Sequence, residues 1–164
     1  MGLPSNVRHY AIALGANRAG RHGGPVKMLA AALGAIGGVV VASPVSITAP
    51  LGPSIRRYAN QAAIIASDES PPDLLARLKG IERAFGRRRG QRWGARVIDL
   101  DIILWSEGAW DSPGLTVPHP AFRDRMFVLD PLAAIAADWR DPLTGLRIRH
   151  LRHRLMRALP LMPG

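Results

Sequence analysis

The chain contains no cysteine, which removes disulfide scaffolds, zinc fingers, iron–sulfur centres and thiol nucleophiles from consideration. It also lacks an apolar run able to cross a bilayer. The longest, Met28 to Ala42, is broken by three glycines and falls short of the roughly 20 residues required. That run lies too deep in the chain for a signal peptide, and Asn6 stands where a myristoylation motif wants Ser or Thr. These absences give the expectation of a cytoplasmic protein with no membrane partner. No GxxxxGK[ST] loop occurs and nothing matches the protein-kinase motif set, so two common ways of holding a nucleotide are excluded.

What is abundant is arginine. Twenty of the 22 basic residues are arginine, set against 12 acids, for a formal net charge of +10. A coding bias toward Arg, Ala, Gly and Pro explains part of this excess, and arginine suits bidentate contacts to phosphate better than lysine does. Charge alone fits nucleic acid, an anionic membrane or a nucleotide about equally well. With 164 residues, 48% of them hydrophobic and 21% charged, the chain can bury a core of its own and is expected to form one domain.

His9 to Gly15 reads as a buried strand and Val26 to Ile36 as a helix stopped by Gly37-Gly38. Val39 to Ile47 reads as one β-branched strand, which Pro44 confines to an edge or a bulge. Tyr58 to Ala66 is the next strand, and Ser70-Pro71-Pro72 opens a helix that runs to Phe85 and closes at Gly86. Val97 to Trp105 carries the strongest strand signal, and a short helix is expected around Asp130 to Ala137. The order β-α-β-β-α-β over the first 105 residues predicts an α+β sandwich with a mostly antiparallel sheet. The basic tail beyond about Thr144 is the least legible part.

The sharpest chemical feature is Asp99-Leu100-Asp101. Residues i and i+2 of a strand share a face, so both carboxylates point one way while Ile98, Leu100 and Ile102 point into the core. Two like charges this close are unfavourable without a cation, and oxygen-only donors on a rigid strand suit Mg²⁺. An isolated pair of this kind is more often two surface acids. Here, however, it follows Gly86 to Arg96, a loop of five arginines and internal glycines able to close over polyphosphate, with Trp93 free to stack. Taken alone, that loop equally suits a solvated surface or a nucleic-acid patch. His119 sits between Pro118 and Pro120, which hold its backbone, and Tyr58 and Asn60 share a strand face suited to a flat heterocycle.

Taken in order, these motifs resemble the 6-hydroxymethyl-7,8-dihydropterin pyrophosphokinase family. The matching segments are Ala13 to Asn17, Thr48 to Pro53, Tyr58 to Ala62, Ile81 to Arg87, Arg92 to Leu104 and Leu115 to Leu132. The resemblance implies a ferredoxin-like α+β fold and transfer of diphosphate from ATP to the pterin hydroxymethyl oxygen, releasing AMP, in folate biosynthesis. It implies two Mg²⁺ ions held by Asp99 and Asp101, with Arg87 and Arg96 neutralising phosphate charge. Glu82, Arg89, Trp93, Ile102, Thr116, His119 and Arg125 would line the ATP side. Thr48, Leu51, Tyr58, Asn60 and Phe127 would form the pterin pocket. The family's usual LGSN reads Leu14-Gly15-Ala16-Asn17 here, which removes a hydroxyl near the substrate loops. The expectation is a monomer acting on small molecules, without nucleic acid. A nucleic-acid module built on the arginine loop and tail is the alternative, recognisable by salt-sensitive affinity and indifference to dihydropterin.

Overall fold

A computed structural model describes residues 6–17, 20, 22–48, 58–86 and 97–159. The first strand, β1 (Arg8–Ala16), leads to α1 (Pro25–Ile36), which ends where Gly37 and Gly38 both take positive φ. Gly38 is obligatory there, because a Cβ would collide with the carbonyl oxygen of Ala66. Next come β2 (Val39–Ala42), β3 (Ser46–Thr48), β4 (Tyr58–Ser67) and α2 (Pro71–Gly86). The edge strand β5 (Ile98–Trp105) follows, and the sheet runs β2-β4-β1-β5 with every pairing antiparallel and β3 also on β4. This is the expected ferredoxin-like arrangement. The expected single strand from Val39 to Ile47 is instead two short ones: proline cannot donate to a ladder, and the chain leaves the sheet around Pro44.

Helix α2 shows why its sequence is helical. Ser70 accepts the backbone N–H of Asp73 through Oγ, the two prolines occupy the first turn where no N–H is missed, and Leu74 and Leu78 bury one face. Arg77, on the same helix, makes a bidentate pair with Glu69 and donates to the carbonyl of Ile36 at 2.6 Å, satisfying the last turn of α1.

The strands are apolar on both faces because both faces are covered. Tyr10, Ile12 and Leu14 of β1, with Leu100 and Ile102 of β5, pack on α1 and α2. Ala11, Ala62, Ile64, Ile103 and Leu104 face the opposite layer, built by the 3₁₀ turn Phe122–Asp124, α3 (Met126–Ala136) and α4 (Ile148–Ala158). That second helical layer goes beyond the sandwich expected from the sequence. Asp130-Pro131 resembles a helix start, yet α3 begins four residues earlier than expected and runs through Pro131, because Val128 and Leu129 are buried against the sheet. The basic tail is a helix for a similar reason: Ile148, Leu151 and Leu155 recur at helical spacing and pack on α3 and the sheet. A hairpin that the sequence did not announce, β6 (Trp110–Ser112) and β7 (Leu115–Val117), turns at Pro113-Gly114, where Gly114 has φ +79°.

Candidate active site

The α3–α4 layer covers Ile103 and Leu104 of β5 but not the strand's beginning. Asp99 and Asp101, on the face of Ile103, therefore emerge at the uncovered end, Asp99 exposed and Asp101 half-buried. Ile98, Leu100 and Ile102 are buried on the other face, as the i, i+2 spacing requires. Across the sheet, Gly15 pairs with both Asp99 and Asn60, and Ala13 pairs with both Asp101 and Ala62. Asn60 and Asp99 thus flank a floor with no side chain, about 10 Å apart at two strand spacings. Glycine is not required there by its φ; its use is the open space, since a Cβ at Gly15 would stand 3.4 Å from Asn60 Oδ1. Ala16, where the family's usual serine would be, points away from this trough into the buried core.

Beside the trough, an open cleft of about 330 Å³ lies along the β5 edge, between α2 and the β6–β7 hairpin. It brings together four residues expected from the sequence: Asp101, Ile102, Thr116 and His119. The backbone N–H of His119 donates to Ile103 at 3.0 Å, which fixes the imidazole at the strand edge. His119 Nδ1 accepts from the N–H of Ala121 at 3.2 Å, so a neutral imidazole carries its proton on Nε2. Burial holds the His119 pKa below its ordinary value; Asp101 opposes the shift, while Arg125 and Lys79 reinforce it. Glu82, only 8% exposed, stands behind the cleft and accepts from Lys79 Nζ at 2.7 Å.

Lys79, Leu75, Ser112 and Leu115 also line the cleft and were not anticipated. A signal existed for two of them: Leu75, Lys79 and Glu82 are i, i+4 and i+7, one face of one helix. Ser112 and Leu115 had none, because the hairpin that carries them was not recognised.

The expected pterin residues are placed more loosely. Asn60 is buried beside the glycine floor, and Tyr58 lies two residues along the same face, 46% exposed. Phe127, in the first turn of α3, is 47% exposed with the Arg125 guanidinium 5.7 Å from its ring centre. Thr48 pairs with Tyr58 through the β3 backbone. Leu51, Arg87, Arg89, Trp93 and Arg96 lie outside the described residues.

The donor set fits magnesium. Among the described residues no cluster of three or more metal-binding side chains occurs, and the Asp101 carboxylate makes no hydrogen bond or ion pair. Two carboxylates sharing one face, with the remaining positions left to water and phosphate oxygens, is the ligation that Mg²⁺ accepts, whereas structural zinc sites are built on Cys and His.

The family described as 7,8-dihydro-6-hydroxymethylpterin-pyrophosphokinase (HPPK) matches residues 11–137, a span that includes both aspartates, the cleft and Phe127. The chain belongs to this family. A Pseudomonas aeruginosa 2-amino-4-hydroxy-6-hydroxymethyldihydropteridine pyrophosphokinase is 41% identical over 142 residues, covering 83% of this chain and 85% of that protein. The Haemophilus influenzae enzyme of the same name is 37% identical over 91% of this chain and 97% of its own length. The Synechocystis protein of that name is 41% identical over 69% of this chain, a match spanning 59% of its length. In fold, the chain resembles wild-type Plasmodium falciparum HPPK-DHPS with a TM-score of 0.71 over 90% of its residues, at 13% identity. It spans 41% of that longer chain.

Proposed function

We propose that this HPPK-family chain transfers the terminal diphosphate of ATP to the hydroxymethyl oxygen of 6-hydroxymethyl-7,8-dihydropterin, with AMP as the second product, as a step of folate biosynthesis. The observation that carries the proposal is the juxtaposition of two strand-mate carboxylates, a side-chain-free trough ending at Asn60, and a cleft lined by apolar Leu75, Ile102 and Leu115 beside polar Lys79, Thr116 and His119. The bond that forms joins the pterin oxygen to the β-phosphorus. The bond that breaks joins that phosphorus to the oxygen retained by AMP, and the hydroxyl proton is lost.

In this reading Leu75, Ile102 and Leu115 flank the nucleotide base, while Thr116 and the Nε2–H of His119 offer hydrogen-bond donors to the ribose and phosphates. Lys79 and Arg125 add positive charge on the same side, and Glu82 holds the Lys79 ammonium in place. Asn60 reads the polar edge of the pterin through its amide, and Tyr58 and Phe127 supply stacking faces. Asp99 and Asp101 would hold two Mg²⁺ ions, which supply charge neutralisation at the polyphosphate when bound. Arg87 and Arg96 would neutralise phosphate charge, with Arg89 and Trp93 on the ATP side. We place the protein in the cytoplasm as a one-domain monomer; no described helix is long and apolar enough to cross a membrane.

The test is AMP formation from ATP, measured with and without 6-hydroxymethyl-dihydropterin, and with Mg²⁺ or a chelator. AMP that depends on both is the expected result. ATP turnover indifferent to the pterin would overturn the assignment of substrate, and turnover indifferent to chelation would overturn the role given to Asp99 and Asp101.

A further inference from the structure

The cleft contains one cation that no motif and no family segment announces. Among the described residues that line it, Asp101 is the sole acid and Lys79 the sole lysine or arginine. Lys79 Nζ lies 2.7 Å from Glu82 Oε1 and 3.3 Å from Oε2, one turn along α2. The Glu82 side chain is 7% exposed and that of Lys79 34%, so a buried carboxylate anchors an ammonium that still reaches the cleft. An ammonium carries three N–H groups, and one carboxylate engages at most two of them. Lys79 has no other hydrogen-bond acceptor among the described residues, which leaves an N–H directed away from Glu82.

The place of Lys79 along the cleft sets which part of a nucleotide that N–H meets. Helix α2 runs toward the beginning of β5: a Cβ on Gly86, its last residue, would stand 3.9 Å from the backbone nitrogen of Val97. The step from Leu75 to Lys79 is one helical turn, about 6 Å, and leads from the apolar part of the wall toward Asp99 and Asp101. The imidazole of His119 lies within reach of both charges, Asp101 raising its pKa and Lys79 lowering it. With a base against Leu75 and Leu115 and the β- and γ-phosphates at the aspartates, the α-phosphate falls beside Lys79.

Given the proposed transfer of diphosphate, on which this rests, we infer that Lys79 is a further catalytic residue, whose ammonium contacts the α-phosphate and stabilises AMP as it departs. The pterin oxygen bonds to the β-phosphorus and loses its proton to solvent, while the bridging oxygen keeps the electron pair of the broken bond. The α-phosphate thereby becomes the phosphomonoester of AMP and gains negative charge. A cation placed there binds the departing group more strongly than the bound ATP, which raises kcat rather than merely lowering KM. Glu82 is the positioning residue: it holds the ammonium at the wall, so less side-chain freedom is lost when the nucleotide binds.

The experiment uses the full chain with Lys79→Gln, Lys79→Arg and the double variant Lys79→Gln/Glu82→Gln, which removes the buried carboxylate along with its cation should the single change weaken the fold. Pterin-dependent AMP formation is measured at steady state, and AMP and adenosine are titrated by calorimetry. Lys79→Gln and the double variant are expected to lower kcat about tenfold or more, with a smaller change in the KM for ATP. Both should bind AMP about tenfold more weakly and adenosine as the wild type does, and Lys79→Arg should recover part of both losses. Wild-type kcat in the double variant, or equal losses for AMP and adenosine, would overturn the inference while leaving the transfer reaction standing. A wild-type chain that forms no pterin-dependent AMP overturns the proposed function first, and this inference with it.

Discussion

At the scale of the residue, the site's chemistry rests on where single side chains are present and where one is missing. Asp99→Asn and Asp101→Asn keep shape and remove charge, so each should lower turnover by about 100-fold or more. Stability should be unharmed in metal-free buffer, where a like-charge repulsion disappears. Steady-state AMP formation beside a thermal melt separates the two effects, and wild-type turnover in both variants at limiting Mg²⁺ would sink the metal assignment. Phe127 is half-exposed and contributes little to the core, so Phe127→Ala should leave folding intact. Calorimetry should then show pterin affinity reduced by roughly 5- to 150-fold, the range of a lost stacking face, with ATP affinity little changed. Gly15→Ala makes a subtler test. Its methyl would meet Asn60 Oδ1 at ordinary contact distance and Gly15 has no positive φ, so the variant should fold as well as the parent or slightly better. It should nevertheless raise the KM for pterin, because it narrows the trough between Asn60 and Asp99.

At the scale of the element, a buried ion pair fixes the turn that precedes α3. Asp141 is fully buried and accepts two bonds from Arg123, at 2.6 and 2.8 Å, plus Thr144 Oγ1 and the N–H of Leu143. Burial by itself would raise the Asp141 pKa, but the bonds from Arg123, Thr144 and Leu143 outweigh it and hold the carboxyl below its usual value. The pair therefore contributes stability that is complete above the ordinary carboxylate range, near pH 4, and is lost as pH falls through the depressed folded value. Asp141→Asn leaves the Arg123 charge without its carboxylate and should cost about 3 kcal/mol at neutral pH. Urea melts should show that deficit shrinking as pH drops below about 4; a deficit independent of pH would mean that packing, not charge, is what the substitution removes. Because the same turn leads into Arg125 and Phe127, a rise in the KM for pterin is expected alongside.

At the scale of the molecule, the folding unit extends past the family match. Ile148 and Leu151 of α4 close the second core cluster, and each buried aliphatic side chain is worth about 1.5–3 kcal/mol. A chain ended at Arg147 should therefore lose roughly 3–6 kcal/mol of a typical total of about 5–15, seen as a Tm lowered by about 10–20 °C. An unchanged melt would show that α4 is an appendage rather than part of the core.

Much of this architecture was legible because it is local. The i, i+2 spacing of Asp99 and Asp101 in an apolar run fixes a shared face whatever the rest of the chain does. Gly37-Gly38 and Ser70-Pro71-Pro72 mark helix ends through backbone constraints that act within a few residues. Six motif segments in order were enough to indicate the family. What only the tertiary structure decided involves partners distant in sequence. Pairing across β1 sets Asn60 opposite Asp99 with Gly15 between them. The β6–β7 hairpin supplies Ser112, Leu115 and Thr116 to the wall that faces Lys79. Burial of Val128 and Leu129 carries α3 through a proline that, read locally, starts a helix. The basic tail becomes a helix because the sheet offers its second face to Ile148 and Leu151, a surface no sequence window contains.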